Sequence, residues 1–104
     1  MSFVVELSPT AEADLERLFD FLLDRADTTE DLDRAQAAIE AIAATAQHRL
    51  AITPFSFRKA ASNPAQRELI IPFAGTGYVA LHEIVGPSKV VVLVVRHQRE
   101  EDYH

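Results

Sequence analysis

Cysteine is absent from this chain of 104 residues. Its absence removes a disulfide framework, a thiolate zinc site and a cysteine nucleophile together. It also fits a reducing cytoplasm. Long apolar runs are missing too. The longest aliphatic stretch, Val90 to Val95, falls far short of the ~20 residues a spanning helix needs, so no membrane partner is expected. Met1 leads into Phe3-Val4-Val5-Glu6-Leu7 without a basic region or an extended apolar core, so no signal peptide is expected. With three glycines and five prolines there is no low-complexity linker.

What is present describes one globular domain over residues 1–104. Hydrophobic residues make up 48% and charged residues 25%, which argues against disorder. The net charge is −6, and it is unevenly spread. Residues 1–53 hold 4 basic and 11 acidic side chains, and residues 54–104 hold 6 and 5, which together make the 10 and 16 of the whole chain. An acidic first half precedes a nearly neutral second half that keeps most of the arginine, as if the halves face different partners.

Phe3 to Leu7 is short, β-branched and aromatic, and reads as a strand. Ser8-Pro9 reads as an N-cap with proline at the first helical position. Ala11, Leu15, Leu18, Phe19, Leu22 and Ala26 then recur at helical spacing, with Glu12, Asp14, Glu16, Arg17 and Asp20 on the other face. A break comes at Asp27-Thr28-Thr29, where Thr28 and Asp31 resemble a capping box. The second helix places Leu32, Ala35, Ile39, Ile42, Ala43, Ala46 and Leu50 on one stripe. Two amphipathic helices with a short connection form an antiparallel hairpin.

Pro54 ends that helix. Phe55 to Ala65 reads as a loop or short irregular strand, with Asn63-Pro64 as a turn. Glu68 to Phe73, Tyr78 to Val85 and Val90 to Val95 read as strands joined by turns at Gly75-Thr76-Gly77 and Gly86-Pro87-Ser88-Lys89. The unbroken aliphatic run of the last one predicts a central strand buried on both faces. Short connections imply an antiparallel meander. The order is β-α-α-β-β-β, an α+β domain with a helical hairpin packed on one face of a mainly antiparallel twisted sheet.

Several fragments in this order resemble the ParE/RelE toxin superfamily of bacterial type II toxin–antitoxin modules, and its ParE branch more closely. They are Leu7-Ser8-Pro9-Thr10-Ala11-Glu12-Ala13-Asp14-Leu15, Arg67-Glu68-Leu69, Tyr78-Val79, and His82-Glu83-Ile84. The closing segment, Val90 through Val95 into Arg96-His97-Gln98-Arg99-Glu100-Glu101-Asp102-Tyr103, is the most specific, because an aliphatic strand running into a His-x-Arg tail is typical of these toxins. The resemblance covers nearly the whole chain. It implies a toxin neutralised by a cognate antitoxin, ParD-like or another small DNA-binding protein, whose C-terminal segment wraps the toxin. It further implies one of two targets: DNA gyrase for the ParE type, or messenger RNA cleaved on the ribosome for the RelE type.

Metal-free RNA cleavage needs a general base, a general acid and cations around the phosphate. Arg67, Arg96, His97, Arg99 and Tyr103 fall roughly where RelE-type toxins carry such groups. The strand Tyr78-Val79-Ala80-Leu81-His82-Glu83 holds no Lys or Arg, however, and the tail adds three consecutive acids. Affinity for a polyphosphate scales with the phosphates neutralised, so this is a poor RNA site. The expectation is a gyrase-directed toxin without catalysis by this chain. A ribosome-dependent endoribonuclease using Arg67, His97, Arg99 and Tyr103 is the alternative, and an inactive member that only binds antitoxin is the third.

Each residue also has a plainer role. His97, with an unperturbed pKa near ~6.5, is either a base or, with more weight, a packing residue hydrogen-bonded to backbone at the strand end. Arg96 and Arg99 either bind a target or pair with Glu100, Glu101 or the antitoxin. Arg58 and Arg67 either extend the cationic edge or, for Arg67, pair with Glu68 or Glu83. Tyr103 either stacks on a base or folds back on the sheet. Phe55, Phe57 and Phe73 read as core or antitoxin groove. His48, His82, His97 and His104 lack the spacing of a metal site, and no cofactor is expected.

Overall fold

Ser8 shows how a local signal starts the architecture. Its backbone is extended (φ −68°, ψ 160°), and its Oγ accepts the Ala11 N–H at 3.0 Å, which caps helix α1 (Pro9–Asp24). The same hydroxyl donates to the Leu93 carbonyl at 2.9 Å, and the Ser8 N–H donates to the Val92 carbonyl at 2.9 Å. One residue therefore caps a helix and ties it to a strand. Helix α2 (Thr29–Ile52) starts on Thr28, whose Oγ1 accepts the Asp31 N–H at 3.0 Å. The returning bond of the capping box is displaced by one residue: Asp31 accepts from the Asp27 N–H. That bond holds the Asp31 carboxyl below its usual range.

The computed structural model describes residues 2–60, 63–73 and 75–99, with Arg58 and Ala60 in backbone only. Besides the helices it contains strands β1 (Val4–Leu7), β2 (Arg58–Ala60), β3 (Asn63–Phe73), β4 (Thr76–Ile84) and β5 (Lys89–His97). They form one sheet in the order β1-β5-β4-β3-β2. β1 runs parallel to β5, and the other neighbours are antiparallel. The expected architecture is present, with one strand added. Pro54–Ser56 forms a turn of 3-10 helix, and within the interval read as a loop or short irregular strand β2 pairs with β3. β3 also starts earlier than expected. Asn63 Oδ1 accepts the Ala65 N–H at 2.9 Å, so the Asn-Pro turn is folded into the first residues of the strand, where a proline is tolerated. Gly75, at φ +78°, makes the β3–β4 turn.

Both helices cover one face of the sheet. Ala11, Leu18, Ile42, Ala46 and Leu50 pack against Leu69, Ile71, Tyr78, Ala80, Val90, Val92 and Val95 in a single core. The stripe on α2 begins to be buried only at Ala35, so Leu32, counted on it by spacing, is exposed. β5 lies inside the sheet as expected, and on the face away from the helices it is buried in part: Val94 is buried there, whereas Val91 and Leu93 are half-buried. Val90 and Val92 are buried.

A bulge in β5 resets which side chains face the helices. Leu81 pairs with Val94 and His82 with Val92, leaving Leu93 as the extra residue. Val92 and Val95 consequently share the helix-side core, three positions apart in a strand whose faces otherwise alternate. β1 stops at Leu7, opposite Val92, so β5 loses its partner there. Ser8 and Asp14 take over the exposed edge, with Asp14 Oδ2 accepting the Val95 N–H at 3.0 Å. Asp14, placed by periodicity on the polar face of α1, is instead 4% exposed. A carboxylate can be buried there because it accepts a backbone N–H and has Arg17 at 3.8 Å.

Candidate functional site

The end of β5 and the start of β4 form one wall of a cavity of about 480 Å³. Thr76, Tyr78, His97 and Arg99 line that wall, and Leu18, Phe21 and Leu22 of α1 line the other. A smaller hollow of about 200 Å³ shares Leu22, Thr76 and Tyr78 and reaches Arg25, Asp31, Arg34 and Phe73. The two make a mostly apolar cleft with guanidinium groups at its rim. Arg25 is stacked on the Phe21 ring, 3.7 Å from its centroid.

His97 is the most constrained group in the cavity. Its Nδ1 accepts the Arg99 N–H at 3.1 Å, so that nitrogen carries no proton. The proton of the neutral ring then sits on Nε2 and donates to Thr76 Oγ1, 2.7 Å away. The Tyr78 ring meets the imidazole edge-on, with centroids 5.3 Å apart. Tyr78 is buried, and burial pushes its phenol above the usual range. The bulge at Leu93 decides this arrangement, because it turns His97 to the helix side together with Val95.

The other cations named from sequence lie elsewhere. Arg96 occupies the opposite face of β5, where its guanidinium is 4.0 Å from Glu68 and donates to the carbonyls of His97 and Gln98 at 3.3 Å. Arg67 lies four residues down β3 from Ile71, the residue in register with Tyr78, and so about 13 Å along the sheet from the cavity. Its Nη1 donates to the carbonyls of Phe55 and Phe57 at 3.3 and 3.2 Å. The acids expected to pair with it are engaged otherwise, Glu68 with Arg96 and Glu83 with Gln66. Tyr103, Glu100 and Glu101 lie outside the described residues, as does the side chain of Arg58. Of the candidate target-binding residues, the described structure thus brings His97 and Arg99 together and separates them from Arg96 and Arg67.

The three phenylalanines divide as well. Phe73 lies by the cleft, in register with Thr76. Phe55 and Phe57 lie near Arg67, where Phe55 is 59% exposed and meets the Phe3 ring edge-on at 6.0 Å. Sequence reasoning missed Thr76 and the α1 wall of the cavity. A turn threonine and a helix stripe carry no chemical signal until a histidine is folded against them. It also left His82 without a role. His82 is fully buried, with Nδ1 3.3 Å from the Ala80 carbonyl and Nε2 3.3 Å from the Pro54 carbonyl. Burial holds its pKa below the ordinary histidine value.

Comparison with known proteins places this geometry in a family. The family described as ParE toxin of type II toxin-antitoxin system, parDE, matches residues 5–102. The protein named Toxin RelE3 of Caulobacter vibrioides is 33% identical over 92% of this chain and 95% of its own length. A solved structure of a chromosomal ParDE toxin–antitoxin system from P. aeruginosa superimposes with a TM-score of 0.70 at 14% identity, over 92% of this chain and 96% of that one. The RelBE2 toxin–antitoxin complex of Mycobacterium tuberculosis gives 0.63 at 19% identity, over 94% and 100%. These two structures support the fold. The match over residues 5–102 and the 33% identical relative carry the family: the chain belongs to the ParE toxins of type II toxin–antitoxin systems, within the ParE/RelE superfamily.

Proposed function

We propose that this toxin acts by binding DNA gyrase in the cytoplasm, without catalysis of its own, and that a cognate antitoxin neutralises it. The observation that carries this reading is the dispersal of the cations. Phosphoryl transfer to a 2′-hydroxyl needs several positive groups converging on one phosphate together with a base. Among the described residues, Arg99 is the one arginine lining the His97 cavity itself; Arg25 and Arg34 border the adjoining hollow, and Arg96 and Arg67 are committed to another face and another end. His97 is also poorly disposed as a base: Nδ1 is engaged by a backbone N–H and Nε2 carries the proton. An apolar cleft with a few polar groups suits protein recognition better than RNA cleavage. The antitoxin partner is supported by structural neighbours that are themselves toxin–antitoxin systems.

Messenger RNA cleavage is the second reading. It is favoured by the relative named Toxin RelE3 and by the shared cavity of His97 and Arg99. Purified toxin added to a gyrase supercoiling assay is expected to block supercoiling. Added to translating ribosomes, with cleavage monitored by primer extension, it is expected to produce no codon-specific cuts. Cuts with unaffected supercoiling would overturn the gyrase reading. Inertness in both assays, without growth arrest on expression, would identify a member that only binds antitoxin.

A further inference from the structure

The molecule has a second feature, at the end away from the His97 cavity. Between Glu40 and Glu68 the chain contains no Asp or Glu, yet it carries His48, Arg49, Arg58, Lys59 and Arg67. In a chain of net charge −6 this is a strongly polarised interval. It also presents apolar side chains to solvent: Ile52 is 56% exposed and Phe55 59%. Folding brings several of these groups together. The Phe3 N–H donates to the Ala51 carbonyl at 2.7 Å and brings the Phe3 ring against Phe55. The Arg49 guanidinium lies 5.0 Å from the Phe57 ring centroid, and that of Arg67 lies 5.9 Å from Phe55.

The exposed ring is held in place. Arg67 and His82 are in register on neighbouring strands. Between them they face the carbonyls of Pro54 and Phe55 in the turn and of Phe57 directly after it. A buried histidine and a half-buried arginine thus fix a turn whose outer aromatic side chain touches solvent. The turn presents Phe55 to solvent beside Arg67, with Arg49 by the Phe57 ring and Lys59 in register with Arg67, which is the composition of a docking anchor with a charged rim.

We propose that this aromatic end, centred on Phe55 with Arg67 beside it and Arg49 and Lys59 on the same acid-free stretch of sequence, docks an acidic, apolar segment of the antitoxin. The inference rests on the antitoxin reading and specifies the chemistry of the contact. Charge complementarity names the occupant. Cations around exposed apolar side chains call for carboxylates interleaved with apolar residues. The aliphatic Ile52 argues for protein and against single-stranded nucleic acid, whose bases gain their stacking energy from aromatic rings. The exposed Arg49 and Lys59 make the contact dependent on ionic strength.

The test uses the full-length toxin and the protein encoded in the adjoining open reading frame, titrated calorimetrically at low and high salt. Phe55→Ala and Lys59→Glu alter exposed positions, and each is expected to weaken binding about tenfold or more, as removal of an anchor does. Arg49→Glu is expected to weaken binding mainly at low salt. Asp20→Asn, on the acidic face of α1, is expected to change nothing. Circular dichroism melts check that each variant stays folded. If the wild-type toxin binds and the Phe55 and Lys59 variants bind equally well, the docking site is refuted and the antitoxin reading stands. If the wild-type toxin does not bind this protein, both fall. Self-association of the toxin that Phe55→Ala abolishes, or binding of a poly-uridine oligonucleotide lost in the same variants, would assign the surface to another occupant and overturn the proposal.

Discussion

The carboxylate of Asp14 accepts the backbone N–H of Val95 across 81 positions of sequence, at the point where β5 has lost β1 as a neighbour. A side chain on the first helix thereby completes the hydrogen bonding of the last strand. Asp14→Ala leaves a buried N–H without an acceptor. The cost expected for a bond to a charged acceptor is about 2–3 kcal/mol, read as a lower urea midpoint with an unchanged slope. Asp14→Asn keeps an oxygen at the same place and is expected to lose less. Equal stability of wild type and Asp14→Ala would refute this role.

Arg67 distinguishes a structural role from a functional one. Its guanidinium bonds to two carbonyls of the turn before β2, so Arg67→Ala is expected to destabilise the fold by about 1–3 kcal/mol. Faster amide hydrogen exchange in β2 and the start of β3 is expected alongside. A purely target-binding arginine would leave both measurements unchanged and reduce toxicity alone.

His82 makes stability depend on pH in a direction set by burial. Its folded-state pKa is depressed, so the unfolded chain binds the proton more readily. Full stability is therefore present above the unfolded value near ~6.5, and it declines as pH falls below that value toward the folded pKa. The Arg67 guanidinium adds to the same effect, because it opposes a second positive charge nearby. Melting temperature is expected to fall between pH 7 and pH 5, with a shallower slope in His82→Gln. A parallel slope in the variant would show that other groups dominate.

The tautomer of His97 can be observed directly. Long-range proton–nitrogen correlation is expected to report a ring protonated at Nε2, with Thr76→Val shifting that signal and loosening the ring. Global stability should drop by only about 1 kcal/mol, the scale of one hydrogen bond. A ring protonated at Nδ1 would contradict the geometry and restore His97 as a candidate base.

The local features of this fold were legible without coordinates. Ser8-Pro9 and Thr28 with Asp31 mark both helix starts, because a cap is a contact among residues within three positions of each other. The glycine turns and aliphatic runs mark β4 and β5 for the same reason. β2 was not legible as a definite strand. Three residues, Arg58–Ala60, carry too little pattern, and they pair because β3 extends back to Asn63 to meet them.

The site divides along the same line. By itself, the sequence determined the residue types, the family and the placement of His97 and Arg99 at the end of an aliphatic strand. Which of Arg96 and His97 would face the helices was decided by one residue, Leu93, bulged out of register with β4. In a regular strand the alternation that buries Val90 and Val92 would have turned Arg96 inward and His97 away. The tertiary structure reversed that order, because a bulge depends on the partner strand and on the Ser8 and Asp14 side chains that bind its free edge. Contacts across 85 and 81 positions leave no periodic trace in the local sequence.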